Sequence, residues 1–156
     1  MKKFLYIALM MLSSVALVTS CGDDDDGDSV SMNPASDIAG TYSGTWTVVA
    51  DSPTGETTTT YDGTIVLTQT SRYAMTITTS IPALTAEASK SAPVNVVATT
   101  NGYFFSCTSD DYTNINPYGK TVSGRVDGNV ISFTYTGEIK IGRAKYGASY
   151  AFAGHK

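Results

Sequence analysis

Apolar and polar residues alternate with a period of two along most of the chain beyond Ile38, and turn-forming residues separate the alternating runs. That period puts successive side chains on opposite faces of a strand, so each run predicts one half-buried strand. Thr41 to Ala50 places Tyr42, Trp46, Val48 and Ala50 on one face and Thr41, Ser43, Thr45 and Thr47 on the other. After Asp51-Ser52-Pro53-Thr54-Gly55 a long strand runs from Thr57 to Gln69, with a bulge or bend at Asp62-Gly63 and Ile65 and Leu67 sharing a face. Ser71-Arg72 then reverses the chain into Tyr73 to Thr79, where Tyr73, Met75 and Ile77 alternate with Ala74, Thr76 and Thr78.

Pro82 to Pro93 is the least strand-like stretch, with one helical turn expected over Leu84 to Ser89. Val94 to Thr100 and Tyr103 to Thr108 flank Asn101-Gly102, the strongest hairpin signal in the chain. A polar loop, Asp110 to Gly119, carries Tyr112 and Tyr118. Thr121 to Val126 and Val130 to Thr136 pair across Asp127-Gly128-Asn129, Ile139 to Ile141 continues or resumes a strand, and Lys145 to Gly154 closes the domain. About eight antiparallel strands joined by hairpins predict an all-β fold. An up-and-down barrel suits it because closure removes exposed edges; a two-sheet β-sandwich is the alternative. Tyr42, Trp46, Met75, Phe105 and Phe133 are the candidates for the barrel interior or a ligand-facing wall, and the loop tyrosines Tyr112 and Tyr118 for contacts with a partner.

The first 36 residues carry none of this alternation. Met1-Lys2-Lys3 and the apolar run from Phe4 to Val18 have the layout of an export signal, and that run is shorter than the ~20 residues a spanning helix needs. Val18-Thr19-Ser20-Cys21 resembles the bacterial lipobox, which implies cleavage before Cys21 and acylation of its thiol, with palmitate-type chains holding the protein on a bilayer. Asp23 to Asp26 and Asp28 form a self-repelling tether that buries nothing. The tract is similar to the acidic export tracts of surface-displayed lipoproteins of Bacteroidetes, and Asp28-Ser29-Val30 resembles the short O-glycosylation acceptor of the same group, at Ser29. The expected organisation is a signal peptide over residues 1–20, a lipidated flexible tether over 21–36 and one domain over 37–156.

Charge follows the same division. The whole chain carries −4, but five of its 14 acidic residues lie in the tether, and from Asp37 onward eight basic side chains face nine acidic ones. The domain is therefore nearly neutral and offers no basic face for nucleic acid. Of two cysteines, Cys21 is committed to lipid, and Cys107 in Tyr103-Phe104-Phe105-Ser106-Cys107 reads as a buried thiol. His155 is the sole histidine and stands next to last: a Ser/His/Asp arrangement would have to use it and a histidine metal site finds no second imidazole, so it reads as a terminal surface residue. Asp110, Asp111 and Asn114 lack calcium-loop spacing, and Glu56, Glu87 and Glu138 fall in separate elements. No cofactor, metal or catalytic role is expected.

Ile38-Ala39-Gly40-Thr41-Tyr42-Ser43-Gly44-Thr45-Trp46 and Tyr150-Ala151-Phe152-Ala153-Gly154-His155-Lys156 resemble the first and last strands of the calycin-like, lipocalin-like lipoproteins of Bacteroidetes. The resemblance implies an eight-stranded barrel and brings no catalytic residues. The chain departs from true lipocalins in lacking their charged residues around Gly44-Thr45-Trp46, which argues against a transported lipophile and makes Trp46 a plug at the closed end. The function expected is that of a monomeric, lipid-anchored, surface-exposed outer-membrane lipoprotein that binds a small ligand, glycan or protein without catalysis. A proteinase inhibitor acting through Asp51 to Gly55 or Asp110 to Gly119 is the alternative. Tyr103, Tyr146 and Tyr150, with Lys140, Arg143, Lys145 and Lys156, add an aromatic and basic concentration near the C-terminus.

Overall fold

The computed structural model describes residues 31–84, 89–106 and 122–156. Cys21, Ser29, Glu87, Cys107, Tyr112 and Tyr118 lie outside them, as does the whole loop from Asp110 to Gly119. A short helix, α1 (Pro34–Ile38), precedes eight strands: β1 (Gly40–Ser52), β2 (Gly55–Gln69), β3 (Ala74–Ser80), β4 (Lys90–Thr99), β5 (Gly102–Ser106), β6 (Val122–Asp127), β7 (Val130–Ile141) and β8 (Ala144–His155). Each strand pairs antiparallel with the next, and β8 returns to β1, closing a barrel in sequence order. The closing seam runs from Ser43↔His155 to Ala50↔Ala148. One continuous ring of ladders excludes the two-sheet sandwich.

Several boundaries differ from expectation. The β1–β2 register is one-to-one through Gly44↔Gly63 and Thr45↔Asp62, so Asp62-Gly63 carries no bulge. Tyr73 falls outside β3 and is 53 % exposed. The stretch read as least strand-like supplies the first half of β4, with Pro93 inside it. The described β4–β5 ladder runs from Asn95 to Thr99, and Thr76 on β3 stands opposite Pro93. The β4–β5 register joins Thr99 to Gly102, so Thr100-Asn101 forms the hairpin loop and Gly102, at φ 110°, opens β5. β7 runs unbroken through Ile139 to Ile141. The helix begins at Pro34, inside the stretch read as tether, and buries Pro34, Ala35 and Ile38.

Inward positions are mostly apolar and outward ones mostly polar along the strands of the barrel proper, with Val97, Phe104 and Val130 as exposed apolar exceptions and Thr79 as a buried polar one. The lumen is packed with rings. Trp46 meets Phe133 and Tyr135 edge-on at 6.1 and 5.9 Å between centroids and Phe152 at 5.0 Å, while Phe105 stacks on Phe133 at 5.9 Å. Inward glycines make room for them: a Cβ at Gly63 would lie 2.6 Å from Trp46, one at Gly154 2.5 Å from Phe152, and one at Gly124 would overlap the Phe105 ring. Trp46 Nε1–H finds no acceptor among the described residues. That omission costs about 1–3 kcal/mol, and burying an indole at 25 cal/mol per Å2 returns about 4–6 kcal/mol, so burial wins.

The two ends of the barrel are different. At one end α1 lies across the opening: the Ala35 amide donates to the Arg72 carbonyl (3.2 Å), Gln69 Nε2 to Asn33 Oδ1 (2.9 Å) and the Tyr42 hydroxyl to the Ile38 carbonyl (2.8 Å). Tyr103 donates from its hydroxyl to Asp37 (2.9 Å), and the Lys156 ammonium sits over the Tyr42 ring at 5.4 Å. This end is plugged by the helix. Trp46, the plug expected from sequence, stands halfway along β1 inside the lumen instead.

Candidate functional site

The opposite end is the mouth, reached by the β1–β2 and β7–β8 turns, by the end of β3 and start of β4, and by the end of β5 and start of β6. Its rim is uneven. Pairing between β1 and β8 stops at Ala50↔Ala148, yet the β1–β2 ladder continues to Ser52↔Gly55 and the β7–β8 ladder to Ile141↔Ala144. Two hairpins therefore run past the seam as arms, and among the described residues the threonine-rich start of β2 and the far end of β7 are paired within their own hairpins.

The first arm carries Thr57, Thr59 and Tyr61 on the face that continues the lumen, opposite Ala50, Val48 and Trp46. Its tip is tight, for the Ser52 hydroxyl lies 3.0 Å from that of Thr54 and donates to the Gly55 carbonyl at 2.7 Å. The second arm carries Ile139 opposite Tyr146 and Ile141 opposite Ala144 on its lumen-side face. Lys140 lies opposite Lys145 on the other face, where Lys145 forms an exposed ion pair with Glu138 (3.0 Å). Exposed pairs contribute about 0–1 kcal/mol, so this one shapes charge more than stability.

Below the arms, Tyr135 and Tyr150 stack in parallel at 4.4 Å, and the Lys90 ammonium stands over the Tyr135 ring at 5.4 Å. The Tyr150 hydroxyl donates to the Glu138 carbonyl at 3.3 Å. These residues form the mouth floor, and the aromatic pack beneath them fills the passage downward. The arrangement offers phenol rings and threonine hydroxyls on a rigid rim. Glu56 and Glu138 lie on different arms.

Of the interior candidates, Tyr42, Trp46, Met75, Phe105 and Phe133 are all buried in one core. Tyr42 belongs to the plugged end, and burial pushes its hydroxyl up to about 12. Tyr150 is buried and Tyr146 half-buried at the mouth, while Tyr103 turns to the plug, where burial and then Asp37 raise its pKa. The expected basic cluster is divided: Lys140, Arg143 and Lys145 sit on the second arm, Lys156 at the plugged end. His155 also lies at the plugged end, on the last pair of the seam. Sequence reasoning missed Tyr61 and Lys90, whose inward placement follows from the period of two extended outward from Ile65 and inward from Val94.

No family model and no characterised protein matches this chain in sequence. Among solved structures, the fold is similar to a crystal structure described as a "putative outer membrane protein" from Bacteroides fragilis, with a TM-score of 0.55 and 21% sequence identity. The match covers 80% of this chain and 53% of that one, so this chain spans about half the length of the protein it resembles. At that identity the likeness concerns the fold.

Proposed function

We propose that this chain is a monomeric lipoprotein of the outer membrane, acylated at Cys21 and displayed at the cell surface, whose barrel binds a partner at its mouth without transforming it. The observation that carries the reading is the difference between the two ends: the N-terminal chain enters at the plugged end, and the arms bearing Tyr61 and Tyr146 stand at the other. A tether attached at the plug directs the mouth away from the membrane. Most outward positions of the wall are polar, the reverse of a barrel whose strands face lipid all round, and an acyl anchor supplies the attachment to the membrane.

Half-buried tyrosines beside threonine hydroxyls stack on and hydrogen-bond a polyhydroxylated ligand, and a filled lumen leaves a lipophile little to enter. A glycan is accordingly favoured over a small apolar ligand. The inhibitor alternative asks for an extended loop that fits a protease cleft, and Asp51 to Gly55 is a closed hairpin tip, which leaves that alternative to residues 110–119. Native mass spectrometry and glycan-array binding of the mature protein test the proposal. We expect retention of a carbohydrate that the Tyr61→Ala/Tyr146→Ala double variant releases while its circular dichroism spectrum still shows the folded barrel; equal binding by the variant would refute the site. Cys21→Ala should abolish acyl labelling, and labelling that persists in it would remove the anchor.

A further inference from the structure

Six large hydrophobic side chains stand exposed among the described residues, and five of them, Met32, Tyr73, Val97, Phe104 and Val130, lie in the plugged half of the barrel; Ile141 alone is at the mouth. Val97 and Phe104 are direct cross-strand neighbours on the outer wall, at 61 % and 44 % exposure. Beside them an open groove of about 670 Å3 is lined by Met32, Tyr73, Asn95 and Val97, and by Ser31, the first described residue. Ser31, the described residue nearest in sequence to Cys21, therefore lies at the edge of the apolar patch. Arg125 flanks it, its guanidinium 5.6 Å from the Phe104 ring centroid and bonded to Asp127 and the Asn101 carbonyl.

We infer that this patch is a lipid-contact face, on which the plugged end of the barrel rests against the bilayer that holds the Cys21 acyl chains. The inference rests on the lipoprotein reading above. Ser31 lies ten positions after Cys21, a span of about 17–19 Å as a flexible coil and at most about 36 Å fully extended. A tether of that length holds the patch at high effective concentration beside the membrane, so a contact too weak to bind alone is populated once the anchor is in place. Tyrosine and phenylalanine edged by a guanidinium suit an interface where rings meet the acyl boundary and the cation stays with the headgroups. The mouth, lined by threonine hydroxyls, has no comparable exposed apolar surface among the described residues.

The full mature chain, acylated at Cys21, is reconstituted into phosphatidylethanolamine and phosphatidylglycerol vesicles doped with a phospholipid bearing a diazirine near the top of its tail. Vesicle flotation is scored first, and photoadducts are then mapped by mass spectrometry. Adducts should concentrate on Met32, Tyr73, Val97 and Phe104 and fall at least fivefold at the patch in the Val97→Ser/Phe104→Ser variant, whose substitutions are on the surface and leave flotation intact. Adducts on Tyr61, Tyr146 or Ile141, floating protein without barrel adducts, or patch residues cross-linked to a second copy would each overturn the lipid-contact face while leaving the anchor standing. A chain that neither takes acyl label nor floats overturns the anchor and the face together.

Discussion

At the scale of single residues, the lumen is built by pairing absent side chains with large ones. Phe105 occupies the space a Cβ at Gly124 would take, and Gly124 lies directly opposite it on β6. Gly124→Ala should therefore destabilise the domain by about 1–3 kcal/mol, the cost of overpacking a filled core, seen as a lowered urea midpoint with an unchanged slope. Tyr42 carries the pH dependence of the plug. Its folded pKa of about 12 exceeds the ordinary 10.0 of an exposed phenol, so the unfolded chain releases this proton first. The stability it contributes is complete below about pH 10 and is lost as pH climbs to about 12. Denaturant midpoints measured across that window should fall more steeply for the natural chain than for Tyr42→Phe; parallel curves would remove Tyr42 as the cause.

The elements show where the sequence was readable and where it was not. Alternation identified the inward faces of β1, β3, β7 and β8 because one face of each meets the core and the other meets water. It underestimated β1, β2 and β7 at their mouth ends, where the arms are wetted on both sides and the alternation fades into threonine. It overlooked α1, whose five residues are too few to show a helical period and which forms because Ile38 and Ala35 have a barrel end to fill. Ile38→Ala removes the largest apolar side chain of that helix from a fully buried site, and we expect a loss of about 2–5 kcal/mol. Calorimetry should show it as a lower melting temperature, with hydrogen exchange rising first at the amides of Ala35 and Tyr42.

For the whole molecule, the candidate site is a product of topology. Tyr61 and Tyr146 are far apart in sequence, and only the β8–β1 seam places their hairpins side by side. Nothing local in either segment announces that neighbourhood, which is why composition and charge pointed instead to a C-terminal aromatic and basic cluster that the fold divides between its two ends. What the sequence did convey at this scale was strand number and connectivity, since eight hairpin-linked strands with one apolar face each have few ways to hide their edges. The division between plug and mouth is not legible in the sequence, because it depends on a short helix and on unequal ladder lengths.

The seam also sets the order in which the protein can become itself. Ser43 pairs with His155 across more than a hundred residues, so the ring cannot shut until the last dozen residues are available to pair. Until then β1 and β7 each present a free ladder edge, open to pairing with another chain, and the loop closed on completion is nearly the whole domain. A chain ending at Ile141 should thus accumulate as oligomers rather than as a looser monomer, resolved by size-exclusion chromatography. Supplying residues 144–156 as a separate peptide should return it to the monomeric fraction.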